Sequence, residues 1–165
     1  MTALAGLWRA GGDAARGCGT MLAAQAMYGP HATDQWAGSG DGGEIALGRA
    51  LHCTLPEDRH DRQPLIGGEG RLMLVADVRL DNRDELSAWL GLSGGEAGRL
   101  CDAAVLLAAF ERAGEGCFDR IVGDFAFALW DRAAQTLLLA RDPVGQRPLV
   151  YHRAPGMFAF ASMAK

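Results

Sequence analysis

The stretch that decides the fold is GDFAFALWDRAAQTLLLARDPVGQRP, residues 123–148. Successive side chains of a β-strand point to opposite faces, so Phe125 and Phe127 share one face of the first segment while Ala126 and Ala128 share the other. Both faces are apolar, so neither is suited to contact with water. A polar turn, DRAAQ, and a second apolar run follow. The pattern predicts a β-hairpin inside a sheet that is covered on both sides.

The composition predicts one domain of ordinary soluble type. Of the 165 residues, 49% are apolar and 22% are charged, and the net charge is -4. The chain is too acidic for a nucleic-acid groove, its apolar runs are too short to span a bilayer, and no signal peptide is evident. We therefore expect a cytoplasmic protein with neither a nucleic-acid nor a membrane partner. The four cysteines and four histidines are dispersed, which predicts reduced core thiols and no metal site.

Strands are expected at both ends of the chain and helices in its middle. Asp13 is the expected N-cap of the first helix, and SGGEAG at 93–98 is expected to be a linker. The predicted strands lie at 2–9, 34–37, 44–51, 71–80, within the hairpin of 123–148, and at 149–152 and 157–162. The predicted helices lie at 13–29, 82–91 and 102–113. Such an order predicts packed sheets flanked by helices, in the α+β class.

The hairpin and the residues after it resemble the end of the N-terminal glutaminase domain of asparagine synthetases. In that family an FAFALWD strand leads to an ARD-x-x-G-x-x-PL loop and an FASE-type strand. The matching residues are Phe125–Asp131, Ala140–Asp142, Gly145, Pro148, Leu149 and Phe160–Ser162. The resemblance implies a four-layer αββα sandwich of the N-terminal-nucleophile hydrolase type. It also implies that residues 1–165 form one glutaminase-like domain.

The resemblance places the catalytic position of the family at Thr2. Family members begin M-C-G-I-x-G and use the exposed cysteine thiol to hydrolyse glutamine, with the free α-amine as the base. This chain begins Met1-Thr2-Ala3. A threonine hydroxyl is a weaker nucleophile than a thiol, but it acts in other N-terminal-nucleophile hydrolases once the initiator Met is removed. Thr2 is therefore the candidate nucleophile.

Other substrate-binding positions of the family have changed. The arginine that clamps the glutamine carboxylate falls near Leu51, and Arg49 is the candidate substitute. The N-G-E phrase that supplies the oxyanion hole aligns with Asp77-Val78-Arg79, so Asp77 and Val78 are the candidate residues there. A carboxylate places negative charge where an oxyanion must be stabilised, which opposes glutamine hydrolysis.

The acid that holds the substrate amine in the S-D-x-E-V phrase of the family is retained as Asp102. An acidic residue at this position has two interpretations, because Asp is also a common cap at the start of a helix. We favour the cap over the ligand.

Two functional interpretations follow from the resemblance. In the first, the domain is an inactive glutaminase within an ATP-dependent ligase, as in β-lactam synthetases and lasso peptide cyclases. The phrase DVRLDNRDEL at 77–86 is similar to these relatives, and we favour the lasso peptide cyclase. This interpretation expects a synthetase domain after residue 165 as the partner, with ATP and Mg²⁺ bound there, no cofactor in this domain, and a precursor peptide as a second partner.

In the second interpretation, Thr2 is the nucleophile of an active amidohydrolase that supplies ammonia for asparagine synthesis. A third possibility is a small free-standing regulatory protein. The charged loop at 141–148 has its own alternatives: Arg141, Asp142 and Arg147 form either a docking surface for the synthetase domain or an internal salt bridge.

Overall fold

The hairpin strand forms part of a buried sheet in the computed structural model, which describes residues 1–164. Strand β6 (Gly123–Asp131) directs Phe125, Phe127 and Leu129 toward helix α4 (Asp102–Ala113). Its alternate residues, which include Trp130, face the other sheet of the molecule. The alternation seen in the sequence therefore separates two cores, and the prediction of a sheet covered on both sides is confirmed.

The remaining elements have the following bounds. The strands are β1 (Ala3–Ala10), β2 (Ala32–Gly40), β3 (Gly43–Leu51), β4 (Leu65–Gly67), β5 (Leu72–Leu80), β7 (Thr136–Arg141), β8 (Val150–Ala154) and β9 (Met157–Ala161). The other helices are α1 (Ala14–Ala24), α2 (Arg83–Leu90) and α3 (Gly94–Ala97). Within residues 1–164, no helix is long and apolar enough to cross a membrane.

The strands pair into two antiparallel sheets. One has the order β2-β3-β1-β9-β8 and the other has the order β4-β5-β6-β7. Leu4, Leu47 and Phe160 of the first sheet pack against Val75 and neighbouring residues of the second. The sheets therefore form the two middle layers, and the apolar core between them is continuous.

Helices form the outer layers. Leu22 and Cys18 of α1 pack on Ala5 of β1, whereas Leu106 and Leu107 of α4 pack on the opposite sheet. The molecule is thus the predicted four-layer αββα sandwich.

The start of α1 differs from the prediction. Asp13 makes no side-chain capping bond and adopts a left-handed conformation with φ of 70°. Glu44, in β3, accepts hydrogen bonds from the amides of Ala14 at 3.0 Å and Ala15 at 3.3 Å. A residue distant in sequence therefore supplies the acceptor that the first turn of a helix requires, and the prediction of an Asp13 cap is wrong.

One α-helix and one strand were not predicted. The supposed linker at 93–98 contains α3, whose N-cap Ser93 accepts from the Glu96 amide at 3.3 Å while Glu96 Oε2 accepts from the Ser93 amide at 2.9 Å. This reciprocal arrangement is a capping box, and it stabilises even one turn. Strand β4 is only three residues long, too short for a periodic pattern.

Candidate functional site

A cavity of about 350 Å³ opens where β1 begins and β3 ends. Antiparallel pairing of Ala3 with Ala50 brings the start of one strand beside the end of the other. Strand β5 and the start of α4 form the facing wall. Four of the five candidate residues line this cavity, and they are Thr2, Asp77, Val78 and Asp102. The fold therefore brings together side chains that are separated by a hundred residues in the sequence.

Thr2 is buried, with 6% of its surface exposed. Its amide nitrogen donates to Oδ1 of Asp77 at 3.2 Å. Its hydroxyl oxygen accepts from the amide of His52 at 3.1 Å. With Met1 attached, the nitrogen of Thr2 is an amide donor and cannot serve as a base.

The carboxylate of Asp77 joins two parts of the site. Its Oδ1 atom accepts from Thr2, and its Oδ2 atom lies 3.5 Å from Nη1 of Arg147. Burial raises the pKa of Asp77, while Arg147, the Thr2 amide and the nearby N-terminus oppose the rise. An ionised carboxylate donates no hydrogen bond, so in its ionised form this side chain offers an oxyanion no stabilisation. Val78 forms part of the same wall, next to Asp77.

Arg49 lies outside the cavity wall. Its side chain is 1% exposed, and Nη2 of its guanidinium group pairs with Oδ1 of Asp61 at 3.2 Å. Asp61 also accepts from the amide of Gln63 at 3.1 Å and from its side chain at 2.9 Å. Asp61 already balances the charge of Arg49, so a substrate carboxylate would have to displace Asp61 to pair with this guanidinium group.

Asp102 is held by neighbouring elements. Its Oδ2 atom accepts from the amide of Leu80 at 2.8 Å, and its Oδ1 atom pairs with Arg83. Arg83 also donates to the carbonyl oxygens of Ala97 and Leu100. The N-cap of α4 is Cys101, and no side chain caps this helix. The prediction that Asp102 acts as a cap is therefore wrong, because its carboxylate links α4 to β5 and α2.

Arg147 also lines the cavity, although it lies outside the five candidate site residues and belongs to the charged loop at 141–148. The loop is held by Asp142, whose Oδ1 accepts from the amides of Gly145 at 2.6 Å and Gln146 at 3.1 Å. Burial alone would raise the pKa of Asp142, but hydrogen bonds from backbone amides hold it below its usual value. The loop thereby directs Arg147 into the cavity wall, toward Asp77. The salt-bridge alternative describes Arg147 correctly.

Cys101 is the thiol that lines the cavity. Burial raises its pKa to about 11, and the charge of Asp61 acts in the same direction. The thiolate is the reactive form of cysteine, so at neutral pH this thiol is protonated and does not replace the missing N-terminal cysteine. Its burial agrees with the prediction of core thiols. Cys53 does not follow that prediction, because it is exposed.

The chain resembles known amidotransferases in sequence and in fold. A family model described as glutamine amidotransferase domain matches residues 49–165. A putative glutamine-hydrolysing asparagine synthetase of Mycobacterium tuberculosis is 32% identical over 94% of this chain, which spans 24% of that protein. Asparagine synthetase 3 of Bacillus subtilis is 34% identical over 56% of this chain and 15% of its own length. The chain therefore spans less than a quarter of the length of these curated relatives.

The fold is also similar to that of a known amidotransferase. The structure of glutamine phosphoribosylpyrophosphate amidotransferase from B. subtilis superposes with a TM-score of 0.73 and 18% identity, covering 97% of this chain and 41% of that one. At this identity the likeness shows the fold alone. The family model matches more than half of the chain. The protein therefore belongs to the glutamine amidotransferase domain family, with asparagine synthetases among its relatives.

Proposed function

We propose that this chain is a glutaminase-inactive amidotransferase domain of an ATP-dependent, amide-forming ligase related to asparagine synthetases. The observation that carries the proposal is the contact between Asp77 and Thr2, in which a carboxylate oxygen lies 3.2 Å from the backbone nitrogen of the candidate nucleophile.

Three positions that glutamine hydrolysis depends on hold residues that do not support it. The nucleophile position holds a hydroxyl group, and that hydroxyl already accepts a hydrogen bond from His52. The expected oxyanion position holds Asp77, which repels a developing negative charge. The candidate carboxylate clamp, Arg49, is occupied by Asp61. Because such groups act as a unit, the loss of any one of them removes most of the activity that the set provides.

The partner in this proposal is a synthetase domain of the same protein, which binds ATP and Mg²⁺. Among such ligases we favour a lasso peptide cyclase, with a precursor peptide as substrate. ATP would adenylate a carboxylate of the substrate with release of pyrophosphate, and an amine already on the substrate would displace AMP to form the amide. No ammonia is needed, so glutaminase residues are free to diverge. The similarity to asparagine synthetases supports the ligase class, and DVRLDNRDEL at 77–86 motivates the cyclase.

A second candidate is a threonine-dependent amidohydrolase. It is favoured by the position of Thr2, which lines the cavity rather than the sealed core. After removal of Met1, the α-amine of Thr2 would face Asp77 and become available as a base. The cavity is large enough for a small amino acid.

The two candidates are separated by measuring intact mass and glutamate release on one sample. The proposal expects no glutamate above the buffer background, even in molecules that begin at Thr2. Glutamate release that is lost in the Thr2→Ala variant would establish the second candidate. In the protein that carries both domains, the proposal further expects ATP-dependent product formation that is independent of glutamine and ammonium.

A further inference from the structure

Strand β8 forms one edge of the first sheet, and most of its side chains are exposed. Val150 is 41% exposed and Tyr151 is 71% exposed. An edge strand offers free backbone groups to another chain unless a proline, a bulge or a row of charges blocks the pairing. Strand β8 has the sequence VYHRA, without a proline, and it pairs with β9 in unbroken register. The strand is therefore able to accept a partner strand.

Neither outer layer of the sandwich covers β8. On one side, a groove of about 650 Å³ separates α1 from the strand, and Met21, Val150 and Met157 line it. On the other side, the second sheet ends at β7, and a cavity of about 520 Å³ opens beside Leu139 and Leu149. Apolar surface thus flanks the free edge of β8 on both of its faces.

The hydrogen bonds of β9 show which backbone groups of β8 are free. The amide of Ala10, in β1, donates to the carbonyl oxygen of Gly156 at 2.9 Å. Since backbone groups alternate in direction along a strand, the even-numbered residues of β9 bond to β1 and its odd-numbered residues bond to β8. These odd-numbered residues lie opposite the even-numbered residues of β8. The amide and carbonyl groups of Tyr151 and Arg153 therefore point away from β9, toward the open edge.

The sequence of β8 is complementary to itself in the antiparallel orientation, which a two-fold axis between identical chains produces. With the axis at His152, the whole strand pairs, and Tyr151 of each copy lies opposite Arg153 of the other. An aromatic ring attracts a guanidinium group, so both cross-strand pairs are favourable. An axis at Arg153 would set two like charges opposite each other, and an axis at Tyr151 would pair only part of the strand.

We propose that β8 pairs with β8 of a second copy of this chain. The pairing joins the first sheets of the two copies into one continuous antiparallel sheet. The free backbone groups of Tyr151 and Arg153 then bond across the interface, and Val150 lies opposite Ala154 of the second copy. The dimer is independent of whether the chain hydrolyses glutamine, because the first cavity is formed by other strand ends.

Sedimentation equilibrium on the unaltered chain should show the mass of two chains at high concentration and a return toward the mass of one on dilution. Tyr151→Lys sets a cation opposite Arg153 of the second copy, so it should weaken the dimer by about tenfold or more. Adding Arg153→Glu makes each cross-strand pair attractive, and the double variant should regain the dimer. The matched control is Ile66→Lys, which should leave the dimer intact. Ile66 is 61% exposed and lies on β4, an edge of the other sheet.

Hydrogen exchange on the unaltered chain gives a second measurement. The amides of Tyr151 and Arg153 should exchange more slowly as protein concentration rises, whereas the amide of His152, which bonds to β9, should be protected at every concentration. A chain that is monomeric at every concentration would overturn the proposal and leave this edge to a different polypeptide. A dimer that survives Tyr151→Lys, or a double variant that stays monomeric, would also overturn it. Should Tyr151→Lys fail to fold, the exchange of the two amides decides the question.

Discussion

The Oδ1 atom of Asp77 lies 3.2 Å from the amide nitrogen of Thr2, and this contact joins the start of β1 to the second sheet. One side chain thereby holds the candidate nucleophile and occupies the expected oxyanion position. The family supplies an Asn at the corresponding place in sequence. The contact makes the proposed loss of hydrolysis testable by restoring residues.

Restoring the nucleophile alone is expected to be insufficient. The Thr2→Cys variant, processed to begin at Cys, should release no measurable glutamate because Asp77 still repels the oxyanion. Adding Asp77→Asn should make glutamate release measurable, because one oxyanion donor is usually worth about 10²-fold in rate. This prediction is checked by measuring glutamate release on samples whose intact mass confirms the processed N-terminus. The Thr2→Ala/Asp77→Asn pair is the control, and activity in Thr2→Cys alone would contradict the role assigned to Asp77.

Stability should depend on pH through Asp77. Burial raises its pKa in the folded state, so the folded chain binds more protons than the unfolded chain as pH rises above the ordinary value of about 3.9. The free energy of unfolding then falls with rising pH until the folded-state pKa is passed. Urea titrations between pH 4 and 7 should therefore show the original chain losing stability relative to Asp77→Asn. A difference that stays constant with pH would show that the Asp77 pKa is unshifted.

The ion pair between Arg83 and Asp102 is expected to contribute more to the stability of the fold than a surface ion pair does. Arg83→Met should destabilise the fold by about 3 kcal/mol, because it leaves a largely buried carboxylate without its partner. The matched control is Arg79→Met, whose ion pair with Asp81 has both side chains more than half exposed. That change should cost less than about 1 kcal/mol. Equal effects in chemical denaturation would mean that the Arg83 pair is no stronger than an exposed one.

Gly6 is expected to be intolerant of even a methyl group. A Cβ atom there would lie 2.1 Å from Cε1 of Phe160, which is fully buried. Gly6→Ala should therefore destabilise the fold by about 2 kcal/mol through overpacking, as measured by urea denaturation. The control is Gly95→Ala, where nothing lies within 4 Å of the added atom. Phe160→Leu in the Gly6→Ala background should recover part of the lost stability. If no stability is recovered, the destabilisation does not arise from the contact with Phe160.

The alternation of side chains along the strand predicted the layers. Successive side chains of a strand point to opposite faces, so an apolar residue at every position indicates that both faces are buried. The alternating faces of 123–131 were sufficient to predict covering on both sides, and the family resemblance supplied the order of the layers. Elements held by distant partners were not predictable in this way. Strand β4 is three residues long, and α1 begins with a bond to a strand about thirty residues later.

The candidate site was predictable where it follows family motifs. Thr2, Asp77, Val78 and Asp102 occupy positions of family motifs, and the fold gathers them around one cavity. The partners of these residues were missed, since pairing depends on three-dimensional proximity. Arg147 reaches Asp77 across 70 residues of sequence, and no local pattern indicates such a pair. The ion pair of Arg49 with Asp61 was missed for the same reason.

The hydrogen bonds that Glu44 accepts from the first amides of α1 bear on the order in which the chain folds. Glycine occupies two positions within α1, which weakens it as an isolated helix. The acceptor for its first turn arrives only when β3 has docked beside β1, so nucleation of this helix depends on a contact between distant parts of the chain. We expect α1 to be consolidated late, after the central β-structure has condensed around it.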